Sequence, residues 1–124
     1  MSEEATSSAL MWHDLTVEHA ESVRDLYAAA LGWSFSTVNM GDYDDFVLAS
    51  PQGDNVGVCH ARGDNASIPA AWILYFAVEN LEHSLSEWQS RGGTIVNGPR
   101  TMGESKFAIV RDTAGAHCAF FQAG

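Results

Sequence analysis

The stretch "TVEHAESVRDLYAAALGW" (Thr16–Trp33) decides the fold, because it recurs in altered form 61 residues later as "AVENLEHSLSEWQSRGGT" (Ala77–Thr94). A second pair of similar stretches follows in the same order at an offset of 62. These are "SPQGDNVGVC" (Ser50–Cys59) and "DTAGAHCAFF" (Asp112–Phe121). Two matches in one order at nearly one offset indicate an internal duplication.

Each copy predicts a strand, a helix and three further strands. The helices show apolar residues near a 3.6-residue period, and glycines follow them at Gly32 and Gly92. In the first copy we predict strand Leu10–Val17, helix His19–Leu31 and strands Ser34–Asn39, Tyr43–Ala49 and Asn55–Ala61. In the second copy we predict strand Ala71–Val78, helix Asn80–Arg91 and strands Thr94–Val96, Lys106–Arg111 and Ala116–Gln122.

Two tandem βαβββ modules predict an α+β domain with curved sheets around a central cleft and helices outside. Residues 1–9 are interpreted as a disordered acidic tail, and residues 10–124 as one domain. Module one covers residues 10–61, and module two covers residues 71–122. The linker, residues 62–70, has turn chemistry and little to pack.

Charge and composition exclude several classes of partner. Acidic residues outnumber Lys and Arg by 16 to 6, so the net charge of -10 repels phosphate backbones and anionic lipid. We therefore expect no nucleic-acid partner and no membrane partner. No basic region precedes an apolar segment at the N-terminus, and the two cysteines form no disulfide framework, so a reducing cytoplasm is expected.

Four motifs carry a resemblance to a known family. They are "WHDL" (Trp12–Leu15), "LYAAALGW" (Leu26–Trp33), "WILYFAV" (Trp72–Val78) and "DTAGAHCAFFQ" (Asp112–Gln122). Together they resemble the vicinal oxygen chelate superfamily, which includes glyoxalase I, extradiol dioxygenases and bleomycin-resistance proteins. The resemblance covers nearly the whole chain and is closest to a glyoxalase-like branch.

The resemblance implies four metal-ligand positions, two in each module. They correspond to Trp12, Gly57, Ile73 and Ala119, and none of these side chains donates a lone pair suited to a divalent ion. We therefore expect no metal and no cofactor. His13, one residue from a ligand position, is expected on the helix side of its strand because strand side chains alternate.

The same alternation predicts which residues line the cleft. They are Trp12, Asp14, Gly57, Cys59, Ile73, Tyr75, His117, Ala119 and Phe121, with Phe107 as a further aromatic wall. Asp14, Cys59, Tyr75 and His117 could form an acid-base set, although a core thiol and a histidine at the rim are the simpler interpretation. Small residues at positions 57 and 119 suggest space in the cleft.

Other polar residues are interpreted as solvated. His60 follows a strand, and "GDYDD" (Gly41–Asp45) lacks the spacing of a calcium loop and is interpreted as a charged turn.

Three functions stay open from the sequence. The first is a metal-independent small-molecule-binding protein of the glyoxalase and bleomycin-resistance type, with its ligand in the cleft. The second is a glyoxalase-like lyase, isomerase or oxygenase with a displaced metal or acid-base site, and the third is a protein-interaction module. A homodimer is compatible with each, and the missing ligands argue against glyoxalase I activity itself.

Overall fold

The structure is a computed structural model that describes residues 8–124. Its elements are β1 (Ser8–Val17), α1 (Ala20–Leu31), β2 (Ser34–Asn39), β3 (Asp44–Ala49), β4 (Asn55–His60), β5 (Trp72–Val78), α2 (Leu81–Ser90), β6 (Thr94–Met102), β7 (Ser105–Arg111) and β8 (His117–Gln122). The α+β class and the two βαβββ repeats are therefore confirmed. Within residues 8–124, neither helix has the length and apolar character needed to cross a bilayer.

The chain divides into two compact units, with boundaries between Met11 and Trp12, inside β1, and between Trp72 and Ile73. The first unit, Trp12–Trp72, has the strand order β2-β3-β4-β1, with β1 parallel to β4. In the second, which contains Ile73–Gly124, the order is β5-β8-β7-β6, with β5 parallel to β8. The duplication seen in the sequence thus produces the same strand order twice.

Each helix covers one face of its own sheet. In the first unit, Ala20 and partly buried α1 side chains pack on Phe46, Leu48 and Val58. In the second, Leu81 and Leu85 of α2 pack on β7 at Ala108 and Val110. Each fully buried aliphatic side chain of this kind contributes about 1.5–3 kcal/mol to folding. Within the described residues each unit contains one α-helix, so the opposite face of its sheet carries no helix of that unit.

The boundaries differ from the prediction mainly at β6. The prediction ended this strand at Val96, because Gly98 and Pro99 interrupt a strand pattern. The strand instead continues to Met102 through two register shifts, with Gly98 at φ 102°. A β-bulge accommodates such residues without ending the ladder.

The chain start and the linker also differ in detail. The predicted tail lies outside the described residues as far as residue 7, while Ser8 and Ala9 belong to β1. The linker contains a short 3-10 turn at Gly63–Asn65, and Ile68 is buried, so it packs more than predicted.

Candidate functional site

The helix-free face of the first unit is closed over Gly57. β1 and β4 run parallel with Asp14 beside Gly57 in the register. A Cβ added to Gly57 would lie 2.9 Å from the Cβ of Asp14 and 3.2 Å from Cζ2 of Trp12. The side chains of Trp12 and Asp14 therefore occupy the position that a residue-57 side chain would take.

This arrangement corrects the expectation of space at the small residues. Gly57 is buried, and a Cβ there would collide with a neighbouring strand that cannot rotate away. In the second unit, Ala119 and Ile73 have no solvent-accessible surface. Gly57 thus permits close packing of β1 on β4, and the methyl group of Ala119 is buried within its own unit.

The helix-free face of the second unit is apolar and aromatic. Tyr75 pairs with Ala119 between β5 and β8, and Phe107 pairs with Phe121 between β7 and β8. The rings of Tyr75 and Phe107 lie 6.4 Å apart at an interplanar angle of 48°. Tyr75 and Phe107 are buried, whereas Phe121 is half-buried.

Arg100 adds a cation to this face that the prediction did not include. Its guanidinium carbon lies 5.0 Å from the centroid of the Phe107 ring, and Nη1 donates a hydrogen bond to Oδ1 of Asn97 at 3.1 Å. Arg100 was missed because it belongs to the part of β6 beyond Val96.

The four titratable residues of the predicted site divide evenly between the units. Asp14 and Cys59 lie in the first unit, and Tyr75 and His117 lie in the second. His117 is the first residue of β8 and is half-buried beside Arg111 in the register.

Cys59 is poorly suited to nucleophilic chemistry. Burial raises the pKa of its thiol, and the carboxylates of Asp14 and Asp45 raise the pKa further. Burial also raises the pKa of Cys118, with a smaller contribution from Asp112. Because the thiolate is the reactive form, both cysteines are held in the unreactive form near neutral pH.

Comparisons with known proteins agree with this architecture. The chain is 24% identical to the anthracycline biosynthesis protein DnrV of Streptomyces peucetius over 91% of its own length and 46% of DnrV. It therefore spans about half the length of this relative. The structure resembles methylmalonyl-CoA epimerase from Mycobacterium tuberculosis, with a TM-score of 0.62, 14% identity and coverage of 99% and 93% of the two chains. No protein-family model matches the chain.

A second solved structure carries the family name. It is a glyoxalase/bleomycin resistance protein/dioxygenase superfamily member from Vibrio splendidus, with a TM-score of 0.62 and 12% identity. The alignment covers 93% of this chain and all of that one (100%). The chain has the fold of the vicinal oxygen chelate superfamily. The resemblance inferred from the sequence motifs is confirmed at this level.

The family's metal does not fit the residues of this vicinal oxygen chelate fold. The four ligand positions implied by the resemblance hold an indole, a hydrogen, a sec-butyl chain and a methyl group, at Trp12, Gly57, Ile73 and Ala119. Filling of the space at Gly57 adds a steric reason to the chemical one. Within the described residues, no group of three or more His, Cys, Asp or Glu side chains is placed to hold a metal ion.

His60 proves to be a bridging residue and not a solvated one. Its Nδ1 lies 3.1 Å from Oδ1 of Asp45, and its Nε2 lies 3.1 Å from Oε1 of Glu21. The imidazole can donate to both carboxylates only when both ring nitrogens carry protons. Partial burial lowers its pKa, but the hydrogen bonds to Asp45 and Glu21 outweigh this and raise the pKa above its ordinary value.

The "GDYDD" stretch is corrected by the same contacts. Asp45 is buried and accepts hydrogen bonds from the His60 backbone N–H at 2.9 Å and from the ring. Gly41, Asp42 and Asp44 are exposed, as a charged turn requires, and Tyr43 is half-buried. The cluster joins α1, β3 and β4, so it holds the helix on the sheet.

His13 lies where strand alternation predicted. It lines a cavity on the α1 side of the first sheet together with Tyr27 and Trp33. It therefore does not share the face of Trp12 and Asp14.

Proposed function

We propose that this protein binds a small molecule without a metal ion, as a binding protein of the glyoxalase and bleomycin-resistance type. The ligand contacts the helix-free sheet faces, which carry the residues that strand alternation predicted to line the cleft. The proposed contact residues are Trp12, Asp14, Gly57, Cys59, Ile73, Tyr75, Phe107, His117, Ala119 and Phe121. Gly57, Ile73 and Ala119 form the packed base, and the partly exposed members carry the contacts.

One observation carries the metal-independent part of the proposal. The space beside Gly57 is filled by Trp12 and Asp14, so a liganding side chain there would require β1 and β4 to move apart. A close-packed interior resists such a shift. The protein therefore keeps the family's frame and has replaced the ligand position with packing.

The chemistry of the second unit favours a flat, apolar ligand. Phe121 offers half-buried aromatic surface beside the buried rings of Tyr75 and Phe107, and aromatic surface stacks well on planar molecules. Similarity to an anthracycline biosynthesis protein makes polycyclic aromatic compounds the first class to screen. The name of the structurally similar epimerase specifies a CoA ester, a second class to include.

Binding is tested by the thermal stability of the purified protein with an anthracycline, a CoA ester and a panel of planar aromatic compounds. A ligand that binds only the folded state raises the melting temperature as its concentration rises. Phe121→Leu should weaken binding, since it removes a half-buried ring from the face. Phe35→Leu, at an exposed ring of β2, is the matched control and should leave binding unchanged.

The outcome separates this function from its rivals. Binding that survives chelator treatment without turnover supports the proposal. Turnover that is lost in Asp14→Asn or His117→Ala would establish an enzyme instead. If no compound binds and light scattering shows a dimer, the interaction module is the better description. A cytoplasmic location and the homodimer stay predictions.

A further inference from the structure

The first unit contains a cavity on the opposite side of its sheet from Trp12 and Asp14. The cavity has a volume of about 480 Å³. Ligand pockets typically enclose about 300–1,000 Å³. Leu48 and Val56 in its wall also pack against α1, which places the cavity on the helix side. It is therefore separate from the face proposed above.

Three aromatic side chains line this cavity: Tyr27 of α1, Trp33 just beyond α1, and Trp72 at the start of β5. The rings of Tyr27 and Trp72 are nearly perpendicular, at 84°, with centroids 5.4 Å apart. Nε1 of Trp72 donates a hydrogen bond to Oη of Tyr27 at 3.2 Å. This bond uses the only donor of the indole and fixes the two rings as a corner.

Apolar surface at the cavity mouth faces solvent. Trp72 is 38% exposed and Leu31 is 52% exposed. Contiguous exposed apolar side chains around a concavity are typical of ligand sites more than of free surface. An apolar group that covered the mouth would bury this exposed apolar surface, which is energetically favourable.

The charge of the lining selects the sign of the ligand. Among the described residues, the lining contains no Lys or Arg, and its carboxylate is that of Asp54, with the imidazole of His13 as a further polar group. Ser50, which is buried, holds Asp54 by accepting a hydrogen bond from its backbone N–H at 2.9 Å and donating one to Oδ2 at 3.3 Å. The net charge of -10 adds a long-range attraction for cations.

We propose that this cavity binds an organic cation, an ammonium group carried on an apolar body. The aromatic faces of Tyr27, Trp33 and Trp72 attract the cation through their ring quadrupoles. Asp54 supplies the opposite charge at the rim, and Val56 contacts the apolar body.

The test compares phenyltrimethylammonium with tert-butylbenzene, which has the same shape and no charge. Binding of each is measured by tryptophan fluorescence and by saturation-transfer NMR, because Trp33 and Trp72 both line the cavity. The cation should bind saturably in the millimolar range or more tightly, and the neutral isostere should bind at least about threefold more weakly, from the loss of the cation–π attraction. Equal binding of both compounds, or no saturable binding of the cation, would overturn the proposal.

Two exposed carboxylates provide a matched pair of variants. Asp54→Asn should weaken binding of the cation by about two- to fivefold at low salt, as expected of a partly screened charge. Asp42→Asn changes the net charge equally, and Asp42 is 80% exposed and not in the lining. Equal affinities of these two variants would show that Asp54 does not contact the ligand and would overturn the assignment.

Trp72→Leu tests the aromatic wall. It should weaken binding of the cation about tenfold and weaken binding of the neutral isostere much less. The same variant should leave the binding of an uncharged planar aromatic compound at the helix-free faces unchanged, so this test and that of the proposed function can fail separately. Unchanged cation affinity in folded Trp72→Leu would contradict the site.

Discussion

The helix-free faces of the two modules occupy the same place in duplicated frames and differ in chemistry. In module one the face carries Trp12, Asp14 and Cys59 around Gly57, so it is polar and locally closed. In module two, the equivalent face around Ala119 is aliphatic and aromatic. The position that the resemblance implies for a metal ligand is thus occupied differently in the two modules, by a glycine packed against Trp12 and Asp14 and by a buried methyl group.

The largest effect expected is from adding a methyl group in module one. Gly57→Ala places a Cβ within 2.9 Å of the Cβ of Asp14, on a strand held by parallel pairing. We expect a loss of about 1–3 kcal/mol in the free energy of unfolding, as for overpacked cores. The measurement is urea unfolding of the variant beside wild type.

The reciprocal change in module two sharpens the comparison. Ala119→Gly removes a fully buried methyl group, so it should cost about 1 kcal/mol through lost burial and greater backbone entropy. A Gly57→Ala variant as stable as wild type would mean that the face of module one is open after all.

Module one has a histidine bridge at His60, whereas the corresponding residue of module two, 62 positions later, is Gln122. His60→Leu removes the hydrogen bonds to Asp45 and Glu21, and should lower the free energy of unfolding by about 1–2 kcal/mol at pH 6. Glu21→Gln, at the exposed end of the bridge, is the milder control.

The pH dependence has a definite sign. The pKa of His60 is raised in the folded state, so its contribution is complete below the unfolded value of about 6.5 and disappears as pH rises through the folded pKa. The difference in the free energy of unfolding between wild type and His60→Leu should therefore decrease from pH 6 towards alkaline pH. A difference that is constant with pH would contradict a protonated bridge.

The smallest effects are expected at the two helix starts. Asn80 caps α2 by accepting a hydrogen bond from the backbone N–H of His83 at 3.0 Å, so Asn80→Ala should cost about 1 kcal/mol. His19 precedes α1 at φ 55° without a side-chain cap, so His19→Gly should stabilise by about 0.5 kcal/mol. Thermal unfolding of both variants measures these effects. Melting temperatures that shift in the same direction for both variants would contradict the prediction.

Local patterns predicted much of this molecule because the duplication shows each element twice. The bounds of β2 were correct, and strand alternation correctly separated His13 from Trp12 and Asp14. The contacts that were missed join residues distant in the chain. Asp45 and Glu21 reach His60 across 15 and 39 residues, and nothing local predicts such a pair.

Side-chain packing is the other property that local sequence patterns do not predict. Whether a glycine leaves a hole depends on the rotamers of neighbouring strands, here those of Trp12 and Asp14. Arg100 was missed for a different reason. Gly and Pro usually interrupt a strand, but β6 continues through Gly98 and Pro99.

The most direct test of the central claim is the metal content of the purified, untagged protein, measured by elemental mass spectrometry after chelation and after reloading with zinc, nickel, manganese and iron. We predict far less than one ion per chain and no change in melting temperature on reloading, since Trp12, Gly57, Ile73 and Ala119 offer no donor. About one retained ion per chain, with a melting temperature that rises on reloading and falls again in Asp14→Asn, would contradict the metal-independent function.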